Sequence, residues 1–340
     1  MEEETLIGID IGSYYVKVCK IFKKNGKEIS ACSLLQNVYN MEYKQKQMVL
    51  KNLLDKINSG KDSVFLAFGG RDIINRDVVL SKDRARSKDF ETFVLEEIKN
   101  SVNEDLNSYH KACAIIRDFS DKELCVMFSA VPKQKIKDVI SLVEGCSNLQ
   151  VVGITMETLA LTNSFVEFGP EYSKNENIAL LNIGSKLTNI VFLNKGKVVF
   201  VKDFNWGGQD VTRGISNVYS IPEKLAEEIK KRTDLREKRN FNMRNILKSS
   251  AVPLIDVLFG TIEYCITRHL VPVIDRIFIT GGASLTYGLD SFIEETIGIN
   301  TEKWNPLENK NIVGYSHKDY GQFCSVVMGL ALEKKEENFV

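Results

Sequence analysis

Ile9-Asp10-Ile11-Gly12-Ser13 and Leu181-Asn182-Ile183-Gly184-Ser185 are two versions of one pattern, 172 residues apart from Asp10 to Asn182 in a chain of 340. Each places a short polar residue between apolar ones and then a Gly-Ser turn. Each leads into a second strand-like run, Val16 to Ile21 in the first copy, and then into a glycine turn. That later turn is Asn25-Gly26 in the first copy and Lys195-Gly196 in the second. Apolar runs bounded by such turns read as strand–turn–strand units. Two of them at half-chain spacing predict a duplicated α/β fold with a cleft between its halves.

A Gly-Ser turn between strands can aim successive backbone N–H groups into one concavity, a nest that holds phosphate oxygens without net positive charge. Glycine permits the backbone geometry and the close approach, and the serine hydroxyl adds a donor. Turns from both halves would hold a polyphosphate between them, with Asp10 organising the waters of a Mg²⁺ ion and Lys17 adding a point charge. Two further glycine pairs follow. Trp206-Gly207-Gly208 closes a strand and opens a helix, and Gly281-Gly282-Ala283-Ser284 follows the buried run Ile277 to Thr280. Glycine at a strand-to-helix junction suits a ligand lying on the helix N-terminus. Between them Pro222 begins a charged helix in which Glu227 and Lys230 share a face. Taken singly, each glycine turn also reads as an ordinary hairpin, and the charged helix as a solvated surface with salt bridges.

Composition narrows the partners. Lys and Arg number 45, Asp and Glu 45, so the formal net charge is zero, which disfavours a protein tracking nucleic-acid phosphates. Hydrophobic residues at 44% and charged ones at 26% are those of a globular protein with room for two domains. The acidic start, Met1-Glu2-Glu3-Glu4-Thr5, lacks the basic and apolar regions of a secretory signal, and a cytoplasmic location is expected. The longest apolar run, Phe323 to Leu332, is too short to span a bilayer and reads as a packed terminal helix. Seven dispersed cysteines with no CxxC pair, and three scattered histidines, have no zinc-ligand spacing and read as reduced thiols and isolated imidazoles.

The pattern between the two turns predicts a helix over 44–58 with Met48, Leu50, Leu53, Leu54 and Ile57 near one face, then strands near 63–68 and 73–80. Residues 81–149 read as an inserted unit of helix, two strands near 111–117 and 123–131, and a second helix after Pro132. The expected division is a first domain of 1–80, 150–168 and 318–340, the insertion 81–149, and a second domain of 169–317.

Taken in order, these elements resemble the actin-like (ribonuclease H-like) ATPase superfamily. Asp10-Ile11-Gly12-Ser13 with Lys17 looks like its first phosphate motif and Met156-Glu157-Thr158-Leu159-Ala160 its connecting helix. Asn182-Ile183-Gly184-Ser185 looks like the second phosphate motif, and Ile277 to Ser284 the adenosine motif. Within that superfamily the chain is similar to the PilM family of type IV pilus assembly and to the division protein FtsA, both of which insert a small subdomain before the connecting helix. Gly281-Gly282-Ala283-Ser284-Leu285, Gly288-Leu289, Gly298-Ile299, Asn305-Pro306-Leu307 and the end Val326 to Leu332 read much like PilM. The tail Glu333 to Val340 lacks the apolar area of the membrane-binding helix that ends FtsA-like proteins.

The resemblance implies ATP or ADP in the interdomain cleft. Gly12, Ser13 and Lys17 would contact phosphates from one side, and Gly184, Ser185 and Thr188 from the other. Gly208, Glu227 and Lys230 would fall near the ribose and base, and Gly281, Gly282 and Ala283 would flank the adenosine. Glu157 matches the position of a polar residue near the attacking water; it also reads as an acid in the first turn of a helix. Relatives usually carry Asp where this chain has Asn182. Asn keeps a carbonyl acceptor but loses the charge that favours hydrated Mg²⁺, so slow turnover at most is expected. The resemblance further implies a partner, the cytoplasmic N-terminal peptide of a PilN-like protein, alongside other inner-membrane pilus components. Membrane contact would then be indirect, and an oligomer is allowed. Two alternatives stand beside this reading: a small kinase on the same fold, which would need an aspartate base, and an FtsA-like filament protein.

Overall fold

The computed structural model describes residues 6–24, 28–57, 63–70, 72–99, 101–102, 104–146, 149–232, 242–309 and 318–333, with the side chains of 22–34 and 318–319 left out. In chain order the elements are β1 (Leu6–Ile11), β2 (Tyr15–Lys24), β3 (Glu28–Asn37), α1 (Tyr43–Lys56), β4 (Ser63–Phe68) and β5 (Ile74–Ser81). There follow α2 (Lys82–Ala85), α3 (Phe90–Ile98), β6 (Tyr109–Asp118), β7 (Glu123–Pro132), α4 (Lys133–Glu144), β8 (Gln150–Met156) and α5 (Glu157–Phe168). The second half has β9 (Asn177–Ile183), β10 (Thr188–Asn194), β11 (Lys197–Phe204), α6 (Gly208–Tyr219), α7 (Glu223–Lys231), α8 (Met243–Ser250) and α9 (Val252–Thr267). It closes with β12 (Arg276–Thr280), α10 (Leu289–Ile297), β13 (Thr301–Lys303) and α11 (Ser325–Leu330).

Among the described residues two sheets have the same order, β3-β2-β1-β4-β8 and β11-β10-β9-β12-β13. The pairing senses match as well: the first three strands of each are antiparallel and the last two join in parallel. The repeat is therefore a repeat of whole sheets. The Lys195-Gly196 turn has both residues at positive φ, 50° and 79°, the geometry a tight two-residue hairpin needs. The Asn25-Gly26 turn lies outside the described residues.

Each strand alternates between two hydrophobic layers, as the period of two requires. On β9, Ala179, Leu181 and Ile183 pack outward under α6, α8 and α9, while Ile178 and Leu180 pack inward against α5 and α11. On the first sheet Ile7 and Ile9 face α1 and α4, while Cys19 and Ile21 face the same central helices. The order of layers is thus helices, sheet, central helices, sheet, helices. The run Phe323 to Leu332 contributes α11, whose residues are buried throughout. No single helix among the described residues is long and apolar enough to cross a membrane. The apolar pair α8 and α9, bent by 59°, puts Ile246, Leu247, Leu254 and Leu258 into the second core.

Three local expectations need correction or refinement. Met48 is 68% exposed, whereas Leu50, Leu53, Leu54 and Ile57 are buried. At about 100° per residue, position 48 lies roughly 200° from 50 and so on the solvent side. Met48→Lys should change the urea-unfolding free energy by less than about 0.5 kcal/mol. Strand β5 pairs with β7 in a separate sheet, β5-β7-β6, so the inserted sheet begins at Ile74 rather than at 81. Helix α4 leaves that unit: Leu142, Val143 and Cys146 pack with Leu50, Leu53 and Leu54 of α1. Of the described cysteines, Cys19, Cys125, Cys146, Cys265 and Cys324 are buried and Cys113 is half-buried, and the side chain of Cys32 lies outside the described set.

Candidate functional site

The two Gly-Ser turns have the same backbone geometry. Gly12 N–H donates to Tyr15 O at 3.0 Å and Gly184 N–H to Leu187 O at 2.8 Å, both spanning three residues. A Cβ on Gly12 or Gly184 would come within 3.0 or 2.9 Å of that carbonyl, so each turn is tight enough to favour glycine. The strands they join carry corresponding cross-strand pairs. Asp10 lies opposite Lys17, and Asn182 lies opposite Asn189. In the first half the pair is ionic, with the buried Asp10 carboxylate bonded to the Lys17 ammonium. Burial alone would lower the Lys17 pKa, but Asp10 beside it more than offsets this and the ammonium is held charged. In the second half the pair is neutral, with Asn182 Nδ2 donating to Asn189 Oδ1 at 2.8 Å.

These groups share the inward faces of their sheets, and Glu157 at the start of α5 joins them. Burial raises its carboxyl to about 8; Asp10 and Asp203 push the same way, against Lys17 and a hydrogen bond from Asn189. Asp203, on β11 opposite Asn189, accepts from Asn189 Nδ2 at 2.8 Å. Burial raises its carboxyl as well, against hydrogen bonds from Asn189 and from Gly70 N–H. Room for Glu157 comes from Gly69, where a Cβ would stand 2.2 Å from Glu157 Oε2. The cleft floor therefore holds Asp10 and Lys17 from one half, Asn182, Asn189 and Asp203 from the other, and Glu157 between them.

Thr188 lies elsewhere. As the neighbour of Asn189 it points to the opposite face, fully buried, and its hydroxyl donates to Trp206 O at 2.8 Å. Asn189 and Asp203 escaped the sequence reading. Adding the same 172-residue offset to Lys17 would have pointed to Asn189; Asp203 carries no local signal.

The glycine-rich junctions close the second half of the cleft. Gly208 N–H donates to Gly184 O at 2.9 Å and Gln209 N–H to Ser185 O at 2.8 Å. The first donors of α6 are thus engaged by the Gly184-Ser185 turn itself, rather than left open at a helix N-terminus. Gly207 permits this approach, since a Cβ there would meet Gly184 O at 2.6 Å. Gly281, at φ +83°, sits over Asn182 and Ile183; a Cβ there would meet Asn182 Oδ1 at 2.5 Å and Ile183 O at 2.6 Å. Gly281→Ala should lower stability by about 2 kcal/mol in urea unfolding, from left-handed backbone strain plus the two close contacts. Gly282 makes room for Phe323, whose ring meets Tyr15 of the first turn edge-on at 5.1 Å.

Glu227 and Lys230 also converge here. The buried Lys230 ammonium donates to Gly208 O at 2.8 Å and Thr212 Oγ1 at 2.8 Å, and pairs with Glu227 at 2.7 Å. Burial alone would raise the Glu227 carboxyl, but Lys230, Thr212 and Lys231 pull it down to about 2. A Cβ on Gly208 would touch both Ala283 at 3.0 Å and Lys230 Nζ at 3.2 Å, so Gly208, Lys230 and Ala283 form one wall. Across the mouth, Lys231 Nζ reaches the Tyr14 hydroxyl of the first turn at 3.0 Å.

The donor set suits an anionic, phosphate-bearing ligand better than a caged metal. Glycine backbone, the Lys17 ammonium and the half-exposed Ser185 line the floor, with Ser13 exposed at the first turn. No group of three or more His, Cys, Asp or Glu among the described residues is placed to hold a metal ion. Asp10 is already paired, and Asn182 and Asn189 are neutral. Any Mg²⁺ would be held through water and ligand phosphates rather than by an all-protein shell.

Two sheets of identical order around a central helix pair, each opening in a Gly-Ser turn over a shared floor, define the actin-like α/β fold. The family model described as "Type IV pilus assembly protein PilM" matches residues 8–335, and the chain belongs to that family. Its fold is similar to that of a "PilM-PilN type IV pilus biogenesis complex" structure, at TM-score 0.80 and 20% identity over 98% of this chain and 99% of the other. It is also similar to the ethanolamine utilization protein EutJ from Carboxydothermus hydrogenoformans, at TM-score 0.56 and 14% identity over 96% and 88%. MreB 5 of Spiroplasma citri bound to AMPPNP matches at TM-score 0.51 and 12% identity over 97% and 95%.

Proposed function

We propose that this chain is an actin-like, nucleotide-stabilised scaffold of the type IV pilus inner-membrane platform. It holds ATP or ADP in the cleft and receives the cytoplasmic N-terminal peptide of a PilN-like protein. The observation that carries the reading is the convergence on Glu157 of the cross-strand groups beside both Gly-Ser turns, Asp10 and Lys17 from one and Asn189 from the other, in a chain of the PilM family. Gly12, Ser13 and Lys17 would take phosphates from one side and Gly184 and Ser185 from the other. The wall of Gly208, Glu227, Lys230 and Ala283 would flank the nucleoside, with Gly281 and Gly282 behind it. A bound Mg²⁺ would neutralise phosphate charge, with Asp10 orienting its waters. Slow turnover is expected from Asn182, whose neutral amide lacks the charge that favours hydrated Mg²⁺. The scaffold works in the cytoplasm and reaches the membrane through its protein partner, with no role for nucleic acid.

Titration of the purified full chain with a fluorescent ADP, with and without Mg²⁺, tests the nucleotide reading. Saturable binding displaced by ATP is expected; none would overturn it. Co-purification with the N-terminal peptide of a PilN-like protein from the same source tests the partner, and a failure to bind removes it. Steady ATP turnover abolished by Glu157→Ala would contradict the scaffold reading.

A further inference from the structure

Helix α7 ends in two lysines that turn different ways. Lys230 and Lys231 stand about 100° apart on the helix, and both reach Glu227 from one turn further along. They take different oxygens: Lys230 Nζ pairs with Glu227 Oε2 at 2.7 Å and Lys231 Nζ with Oε1 at 3.0 Å. Lys230 is directed inward, onto Gly208 O and Thr212 Oγ1. Lys231 is directed across the mouth of the cleft. It donates to the Tyr14 hydroxyl at 3.0 Å, with its ammonium 4.6 Å from the centre of the Tyr14 ring. One carboxylate thus supports the Gly208 wall with one oxygen and a crossing to the other half with the second.

Tyr14 is a fixed anchor for that crossing. Its carbonyl accepts the Val38 N–H at 2.9 Å, and its ring stacks on Tyr39 with centroids 5.0 Å apart and planes 21° from parallel. The adjacent Tyr15 makes a second crossing, edge-on at 5.1 Å to Phe323, whose ring lies against Gly282. The two crossings differ in kind. That of Tyr15 is ring on ring, and parting it exposes apolar surface. That of Tyr14 is a polar contact to a lysine whose side chain is 46% exposed, so water replaces it at little cost. The first holds the halves together, and the second can break and re-form.

We propose that Tyr14 and Lys231 form a latch across the mouth of the cleft, closed in this structure, which opens to admit a nucleoside diphosphate and closes again to retain it. The inference deepens the nucleotide reading above and rests on it for the ligand; the contact between the halves stands without it. A latch obstructs entry and exit alike, so its loss speeds both and leaves affinity unchanged. A lysine that bound the ligand directly would act on release and affinity instead.

Stopped-flow binding of fluorescent ADP to the full chain tests this with Tyr14→Phe, Lys231→Met and the double variant. Lys231→Met removes both the hydrogen bond and the cation over the ring, and should raise the association and dissociation rates about fivefold each. Tyr14→Phe keeps the ring and should raise both about twofold. The double variant should match Lys231→Met, with the dissociation constant within about twofold of the parent throughout. Unchanged rates, additive effects in the double variant, or faster release with affinity lost to match each overturn the latch. Hydrogen exchange of the ligand-free chain, read by mass spectrometry, is the second arm. Tyr14→Phe lies in the first half, yet it should speed exchange about twofold in a peptide covering 223–232 of the second, with 177–183 unchanged. No change at 223–232 overturns the contact. If the parent chain binds no ADP the nucleotide reading falls, while the exchange result still decides the latch.

Discussion

Replacing Gly329 with alanine should destabilise the protein by roughly 4 kcal/mol or more, the upper end for a single buried substitution. A Cβ at 329 would stand 1.7 Å from the carbonyl oxygen of Ala160, far inside any contact distance. The obstacle is backbone, so it cannot turn aside as a side-chain tip would. α11 and α5 would have to part, and the central layer they form packs on both sheets. Gly8 shows the same closeness on the other side of α11, where a Cβ would meet Val327 O at 2.3 Å. Separation of the helices therefore opens voids that each lose dispersion contacts. Urea unfolding monitored by tryptophan fluorescence checks this. A midpoint equal to that of the parent chain would show that the two helices are not in such contact.

The second large effect is a pH dependence carried by Glu157. Its carboxyl titrates near 8 in the folded protein, against an ordinary value of 4.5. Between those values the folded state retains a proton that the unfolded state has released, so unfolding becomes easier as pH rises. The contribution of this group is most favourable below 4.5, declines steadily through the interval, and is constant above 8. At about 1.4 kcal/mol per unit over this interval, the decline is on the order of 5 kcal/mol. Glu157→Gln keeps the shape and removes the titration. Its stability should lose this component between pH 5 and 8, keeping only the slope of other groups such as Asp203, and it should exceed the parent chain by about that amount at pH 8. Denaturant melts at half-unit pH steps provide the measurement, and parallel pH profiles for the two chains would refute the assignment.

The candidate site was legible where its signal is local. A Gly-Ser turn between apolar strands can be read from five residues, and Asp10, Gly12, Asn182 and Gly184 follow from the repeat. Lys230 and Glu227 were legible as a helical pair. That Lys230 is buried against Gly208 O was not, because on a charged helix nothing local separates a solvated ammonium from a buried one. Thr188 illustrates a one-residue error of face. In a strand the neighbour points the other way, so Asn189 reaches the floor and Thr188 the outer core. Met48 is the helical equivalent, apolar and in a helix but off its buried face.

The amino-acid sequence by itself determined the duplication, the two tight turns and the strand–turn–strand units around them. Backbone preference and alternation act over a few residues and need no distant partner. Only the tertiary structure decided that β5 joins the inserted sheet, that α4 returns to pack on α1, and that Asp203 stands beside Asn189 and Gly70. Each depends on which edge or face a segment finds after long excursions of chain. The proton on Glu157 belongs with these, since it is set by burial and by two carboxylates from positions 10 and 203 that meet only once the halves have closed around α5.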